Sequence, residues 1–284
     1  MTTLSVVIPA KNEATSLVSL LPRLKEAVPD SEIIIVNDGS TDETAQILTP
    51  FEVKVITHSD SRGNGAAIKS GARAASGDII VFMDADGQHD PKHIPLLVER
   101  IRQGDDLVVG ARNKKGQASV GRGLANAFYN WFASKVTGFR IQDLTSGFRA
   151  ARAEKFREFL HLLPNGFSYP TTSTMAFLRS GFQVSYIPIE VSRREGKSHI
   201  KPVKDGIRFL IIIFKIATLY APLKVFLPIS AVSFGLGLAR YIYTYMTMGT
   251  FTNMSALLFV TSVQIFLIGL VSEQITSLIY KDVK

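Results

Sequence analysis

The chain has 284 residues with a formal net charge of +8, 46% hydrophobic residues and a positive mean hydropathy of +0.18. The absence of cysteine excludes disulfides, thiolate zinc sites and cysteine nucleophiles. Length and hydropathy together imply one sizeable domain plus membrane-seeking segments, and the charge leaves nucleic acid, anionic lipid and phosphorylated ligands open as partners.

Leu4 to Ile8 reads as a short buried strand that starts almost at the N-terminus, so no cleaved signal peptide is expected. Leu17, Leu20, Leu21 and Leu24 then recur at helical spacing. A second strand, Glu32 to Val36, ends in Asn-Asp-Gly-Ser-Thr-Asp, where Ser40 and Glu43 suggest a capping box. Val53 to Thr57 is a third strand. Gly63-Asn-Gly opens a helix through about Ala75, with N–H groups free to face a phosphate and Lys69 on a solvated face. It is not a dinucleotide fingerprint, because Ile68 stands where the third glycine belongs. Ile79 to Met83 is the fourth strand, Asp90-Pro91 caps a helix running to about Arg102, and Asp106 to Gly110 is the fifth strand.

This β–α alternation predicts an α/β fold with a doubly wound, mostly parallel sheet. Such sheets bind ligands beyond their strand carboxyl ends. Acidic residues stand at three of those ends: Glu13, Asp38, and the Asp84/Asp86 pair followed by Gln88. Carboxylates and an amide oxygen there suit Mg²⁺ or Mn²⁺ shared with phosphates. Asp-Ala-Asp-Gly is equally good turn chemistry, and only the neighbouring acidic ends favour the ligand reading.

Four segments in order resemble glycosyltransferase family 2: Val-Val-Ile-Pro-Ala-Lys-Asn-Glu (6–13), Val-Asn-Asp-Gly-Ser-Thr-Asp (36–42), Gly-Asn-Gly-Ala-Ala (63–67) and Asp-Ala-Asp-Gly-Gln (84–88). The resemblance covers roughly residues 4 to 200 and is nearest to the polyprenyl-phosphate branch, similar to the dolichol-phosphate mannose synthases. It implies a GT-A fold. It also implies that Pro9, Lys11, Glu13, Val36, Asp38, Asp84, Ala85 and Asp86 bind the donor nucleotide, a UDP- or GDP-linked sugar, and that Asp84, Asp86 and Gln88 hold the metal. Lys11 stands where the mannose synthases usually have tyrosine, which leaves the base open.

Beyond the fifth strand, Arg112 and Arg122 are placed to grip a phosphate, and the resemblance assigns Arg122 to the lipid phosphate. The helix that Arg122 enters carries Phe128, Trp131 and Phe132, expected as core. Asp143, in Asp-Leu-Thr-Ser-Gly-Phe-Arg, either orients the acceptor, acting with Arg112 and Asp86 in transfer, or caps a turn. No carboxylate lies between Glu158 and Glu190, where hydroxyl-glycosylating relatives carry a general base. A phosphate acceptor is already anionic and needs none. Ile187 to Val191 is a further strand. In the basic segment after it, Arg193, Lys197, Ser198 and His199 are expected as a phosphate-binding lid, with His199 replacing the family's usual lysine.

The expected catalytic domain spans 1–202. Residues 203–221 carry Lys204, Arg208 and Lys215 on one face of an apolar helix, read as lying in the bilayer interface. The interval 193–224 holds eight Lys/Arg against two acids, suited to an anionic lipid bilayer. The N-terminal domain lacks the basic stripe with interleaved aromatics that nucleic acid requires. Residues 222–284 provide two spans, about 225–246 and 252–272, each long enough to cross. The tip, Met248-Gly249-Thr250, carries no basic residue, so the positive-inside rule puts the catalytic domain and both termini in the cytoplasm. A hairpin this short also allows a homo-oligomer. The expected activity is metal-dependent, inverting sugar transfer to undecaprenyl or dolichyl phosphate. Its rivals are a transferase acting on a lipid hydroxyl and a catalytically silent membrane scaffold.

Overall fold

A computed structural model describes residues 3–112, 120–166, 168–191, 214, 218 and 220–281, with the backbone alone for 120–126 and 136. The chain forms two compact units, residues 1–134 with 139–201, and 135–138 with 202–284.

The first unit is built on a seven-stranded sheet. In chain order its elements are β1 (Leu4–Ala10), α1 (Ala14–Ala27), β2 (Glu32–Asp38), α2 (Thr44–Ile47), β3 (Lys54–His58), α3 (Asn64–Ala74), β4 (Ile79–Phe82), α4 (Ile94–Arg102), β5 (Leu107–Arg112), α5 (Val120–Thr137), β6 (Arg149–Arg152), α6 (Ala153–Glu158), α7 (Tyr169–Arg179) and β7 (Val184–Ile189). The strand order is β3-β2-β1-β4-β6-β5-β7. Strands β1 to β4 run parallel, β5 pairs parallel with β7, and β6 runs antiparallel between β4 and β5. This is a GT-A-like sheet, mostly parallel as the alternation predicts.

Alternation along β1 shows how the sheet is covered on both faces. Val6 and Ile8 pack with Leu17, Leu20, Leu21 and Leu24 of α1 and with Ile94, Leu97 and Ile101 of α4. Val7 points the other way, toward α3, where a Cβ on Gly71 would lie 2.2 Å from its Cγ1. Phe82 shares that second face, its ring 4.4 Å from that of Phe156 on α6. Strands buried on both sides read as continuous apolar runs, which is why the sequence located them.

Successive strands run outward from β1 to β3 on one side, while β4 lies on the other. The carboxyl ends of β1 and β4 therefore open a crevice at a topological switch point, the usual ligand position of such sheets.

The second unit contains α8 (Pro222–Met248) and α9 (Asn253–Ile279). Each rises about 40 Å, enough to cross a hydrocarbon core of about 30 Å. The residues buried between them are small: Ser230, Gly237 and Thr244 against Ser255, Ser262, Gly269 and Thr276. Each set repeats every seventh residue, the period that keeps one seam facing its partner. The Ser230 hydroxyl donates to the Ser262 carbonyl at 2.9 Å, and Ser262 returns the bond at 3.0 Å. Leu236, Val232, Leu257 and Val271 point outward. Small polar side chains inside and large apolar ones outside invert a soluble core and match helix packing in lipid. Gly249 ends α8 in the left-handed region (φ +64°), its N–H donating to the Tyr245 carbonyl. The helices extend beyond the expected 225–246 and 252–272. At the extended ends, Glu273 accepts a hydrogen bond from the Leu223 N–H and so caps α8.

Candidate active site

The crevice holds a cleft of about 490 Å³. The end of β1 contributes Pro9 and Ala10, the chain after it Lys11 and Glu13, β2 contributes Asp38, the start of α3 contributes Gly63, Asn64 and Ala67, and the chain after β4 contributes Asp84, Ala85 and Asp86. The structure thus brings seven of the eight expected nucleotide residues to one place. Val36 is fully buried in β2 and does not line the cleft.

Two asparagines that pattern reading passed over hold the mouth in shape. Asn12 adopts a left-handed backbone (φ +56°), and its Oδ1 accepts the Thr41 N–H at 2.8 Å. Its own N–H donates to Ser40 Oγ at 3.0 Å. Asn37 Oδ1 accepts the Ser40 N–H. Asparagine tolerates this conformation and bonds locally to backbone, so the loops after β1 and β2 are tied together. The expected capping box does not form. Ser40 serves the Asn12 loop, and Asp42 instead accepts the Thr44 N–H at the start of α2.

Asp38 is heavily bonded from within the chain. Its Oδ1 accepts from His58 Nδ1 at 2.7 Å and from the Arg62 N–H at 2.9 Å. Its Oδ2 accepts from Ser61 Oγ at 2.9 Å and from the Gly63 N–H at 2.8 Å. A carboxylate offers about four acceptor sites, so this chain fills them all. Burial works to raise its pKa, but His58 and the two N–H groups prevail and hold it at about 2. A depressed carboxylate stabilises the fold above its unfolded pKa and loses that contribution as pH falls through its folded value. The window here is about pH 4 down to 2 and the amount about 2 kcal/mol. Asp38→Asn is therefore expected to lower the thermal midpoint at pH 7 and to flatten the acid limb of stability over that window. A variant as acid-sensitive as the parent would place the effect elsewhere.

The start of α3 corrects two expectations. Its N–H groups are not free for phosphate: Gly65 donates to the Gly166 carbonyl at 3.1 Å and Ala66 to the Asn165 carbonyl at 2.9 Å. A Cβ at Gly65 would lie 2.0 Å from the Pro164 carbonyl oxygen. The glycines thus admit a strap, residues 163–166, rather than a ligand. Lys69 is half-buried rather than on a freely solvated face; its Nζ donates to the Leu163 carbonyl at 3.1 Å and to the Asn165 side chain.

Asp84 and Asp86 face the cleft from the loop after β4. Asp84 rests against the backbone of Gly147, where a Cβ would lie 2.6 Å from Oδ2. Asp86 Oδ1 accepts the Gln88 N–H at 3.1 Å. Gln88 does not line the cleft. No group of three His, Cys, Asp or Glu side chains stands close enough to cage a metal among the described residues. Two carboxylates fit Mg²⁺ or Mn²⁺ nonetheless, because such ions take one or two protein carboxylates and fill their shell with substrate phosphate and water.

Arg112 and Asp143 pair with each other. Nε donates to Oδ2 at 2.7 Å and Nη2 to Oδ1 at 2.9 Å, a bidentate fork. Nη2 also donates to Thr145 Oγ1, and Asp143 accepts the N–H groups of Thr145 and Ser146. Asp143 therefore caps a turn and orients an arginine at once. Burial tends to raise the Asp143 pKa, but Arg112 holds it below the usual carboxylate range. Arg149, unremarked in the sequence, is fully buried and donates to the Ser146 and Pro170 carbonyls and to Ser173 Oγ. It binds the 143–149 turn, on which Asp84 rests, to α7. Arg193, Lys197, Ser198 and His199, the Arg122 side chain and nearly all of 203–221 lie outside the described residues.

The comparisons with known proteins agree with this geometry. Residues 5–160, more than half of the chain, match the model of glycosyl transferase family 2. The chain is a family 2 glycosyltransferase. Residues 221–278 of this glycosyltransferase match a second model, the GtrB C-terminal hairpin, over α8 and α9. An undecaprenyl-phosphate mannosyltransferase of Micrococcus luteus is 32% identical over 66% of this chain and 83% of its own. A dolichol-phosphate mannosyltransferase of Pyrococcus furiosus is 37% identical over 57% of this chain and 49% of its own. An undecaprenyl-phosphate 4-deoxy-4-formamido-L-arabinose transferase of Pseudomonas aeruginosa is 29% identical over 99% and 86%. Among solved structures, glucosyl-3-phosphoglycerate synthase of Mycobacterium tuberculosis, in complex with Mn²⁺, UDP-glucose and phosphoglyceric acid, shares the fold. Its TM-score is 0.60 at 23% identity, over 76% of this chain and 80% of that one.

Proposed function

We propose that this glycosyltransferase moves a sugar from a nucleoside diphosphate donor to a polyprenyl phosphate at the cytoplasmic face of a membrane, with inversion at the anomeric carbon. The observation that carries the proposal is the pairing, in one chain, of a carboxylate-bearing cleft at the sheet switch point with an inside-out apolar hairpin. The names of the relatives, which act on undecaprenyl and dolichol phosphates, support the acceptor class.

The donor lies with its nucleoside against Pro9, Lys11 and Glu13 and its diphosphate toward Asp84, Ala85 and Asp86. Asp38 shapes this wall rather than reading the base, since its acceptor sites are filled from within. Asp84 and Asp86 would hold a divalent cation, which when bound supplies positive charge to the leaving diphosphate. The acceptor phosphate is anionic near neutral pH and attacks the anomeric carbon without a general base. With Nε and Nη2 of Arg112 engaged by Asp143 and Thr145, contact with the phosphates falls to Nη1. Asp143 acts in transfer through Arg112. The hairpin keeps the cleft where the lipid phosphate lies and so replaces a bulk search by a held geometry.

The test is transfer by purified protein in detergent, with polyprenyl phosphate and a panel of UDP- and GDP-linked sugars. Lipid-linked sugar is expected, with the reaction lost in excess chelator and restored by Mg²⁺ or Mn²⁺. Transfer to diacylglycerol instead of the phosphate would favour the hydroxyl-acceptor reading, and transfer undiminished by chelator would remove the metal.

A further inference from the structure

Strand β3 lies at the edge of the sheet, and its one buried side chain is a histidine. Lys54, Val55 and Thr57 are exposed and Ile56 is half-buried, while His58 is 6% exposed. A strand that served packing alone would bury its valine or isoleucine instead. Removing an imidazole from water costs free energy unless its nitrogens are hydrogen-bonded. Here both are: Nδ1 lies 2.7 Å from Asp38 Oδ1, and Nε2 lies 2.9 Å from Ser70 Oγ on α3. An ionised carboxylate only accepts, so Nδ1 carries a hydrogen and donates. A neutral ring then offers its Nε2 lone pair to the Ser70 hydroxyl.

These bonds run toward the donor cleft. Asp38 accepts in turn from the Ser61 hydroxyl and from the N–H groups of Arg62 and Gly63. Asp38, Ser61 and Gly63 all line the cleft. The same loop is seated on Gly39, whose backbone is left-handed (φ +65°) and where a Cβ would lie 2.7 Å from the Ser61 nitrogen. Three side chains, Ser70, His58 and Asp38, therefore connect the interior of α3 with the loop that forms one wall. Their order is that of a hydrolytic triad. Ser70 does not line the cleft, however, so the chain orients a carboxylate and presents no nucleophile to a ligand.

We propose that His58 is a positioning residue for the donor nucleotide: held by Ser70, it fixes the Asp38 carboxylate and, through it, the 61–63 wall of the cleft. The proposal rests on the nucleotide reading of the cleft. His58 acts through Asp38 and is not itself a lining residue.

The full chain in detergent would be titrated calorimetrically with UDP and with GDP in the presence of Mn²⁺. His58→Phe keeps a ring and removes both nitrogens. His58→Asn loses the ring and keeps an N–H close to the Nδ1 position. His58→Phe is expected to weaken binding of the nucleotide that the parent takes by about tenfold, and His58→Asn to stay within about twofold of the parent. Ser70→Ala leaves Nδ1 in place but frees the ring, and a loss of about three- to fivefold is expected. A ring wanted for packing alone predicts the reverse order, phenylalanine tolerated and asparagine impaired, and that order would overturn the proposal. In transfer assays the donor KM should rise with the weakened binding while the acceptor KM holds. A matching rise in both would mark a general loosening and overturn it as well. Where His58→Phe does not fold, Ser70→Ala decides, and parental affinity in that variant overturns the relay. A parent that binds neither nucleotide would overturn the nucleotide reading and the proposal together. A parent that binds, with both His58 variants at parental affinity, would overturn the proposal alone.

Discussion

Asp86→Asn is expected to lower lipid-linked sugar formation about a hundred- to a thousandfold while leaving the fold intact. Asparagine keeps an Oδ1 acceptor for the Gln88 N–H, which in the parent protein is bonded at 3.1 Å, so the loop after β4 retains its tie. What the substitution removes is one negative charge from a cleft that contains Asp84 and Asp86. A metal clamp on a developing charge contributes several kcal/mol to the transition state, and each 1.36 kcal/mol is tenfold in rate. Gln88→Ala is expected to lower the rate by less than about tenfold, because Gln88 meets Asp86 through its backbone and does not line the cleft. Initial rates in detergent, with Mn²⁺ binding followed by electron paramagnetic resonance, separate the two residues. An Asp86→Asn variant with parental rate and parental Mn²⁺ affinity would refute the clamp. A Gln88→Ala loss as large as that of Asp86→Asn would make the amide a true ligand.

The second large effect concerns Arg112 and Asp143. Removing one partner of a buried pair costs about 3–5 kcal/mol, since it strands the other charge. Asp143 is nearly enclosed, but the Arg112 side chain is 30% exposed and partly hydrated, so Asp143→Ala is expected near the low end, about 3 kcal/mol. For a domain of this size that is a fall of about 10 °C in the thermal midpoint. Asp143→Asn should keep part of the turn cap, lose the ion pair and fall by less. The sign of the pH dependence follows from the depressed Asp143 pKa. The stabilisation is present above the ordinary carboxylate value and is lost as pH falls through the lower, folded one. Arg112→Ala combined with Asp143→Ala should be less destabilised than the two single losses summed, because neither charge is then stranded. Strict additivity would mean that the fork carries no coupling. Activity provides the functional half of this test. Asp143→Ala should slow transfer nearly as much as Arg112→Ala, with little further loss in the double variant, if Asp143 works by orienting Arg112.

Much of this was legible because buried parallel strands write themselves as apolar runs. The apolar runs locate Leu4–Ala10, Glu32–Asp38 and Ile79–Phe82 within a few residues of their ends, and the acidic residues at or just beyond those ends fall at one edge of the sheet. The hairpin was equally plain, since a membrane span needs little beyond length and the absence of charge. Strand β6 was missed for a physical reason. Arg149-Ala-Ala-Arg152 consists of good helix formers with no β-branched residue. It is extended because β4 and β5 offer it backbone partners on both sides, Phe82 opposite Arg149 and Val108 opposite Ala150. That strand inserts an antiparallel member into the parallel sheet, and the turn before it brings Gly147 against Asp84.

The same division holds for the site. The sequence by itself determined the residue types at the strand ends, the lack of a carboxylate between Glu158 and Glu190, and the two apolar spans, because each is a property of local order along the chain. Only the tertiary structure decided what those groups do to one another. Folding fills every acceptor site of Asp38, closes the α3 N–H groups with the strap at 163–166, and turns Arg112 and Asp143 from two candidates into one pair. It also turned Phe128 and Trp131 of α5 outward, where helical periodicity alone expected core. Hydrogen-bond saturation and exposure depend on partners far away in the chain. They are settled when distant segments meet, and no window of sequence contains them.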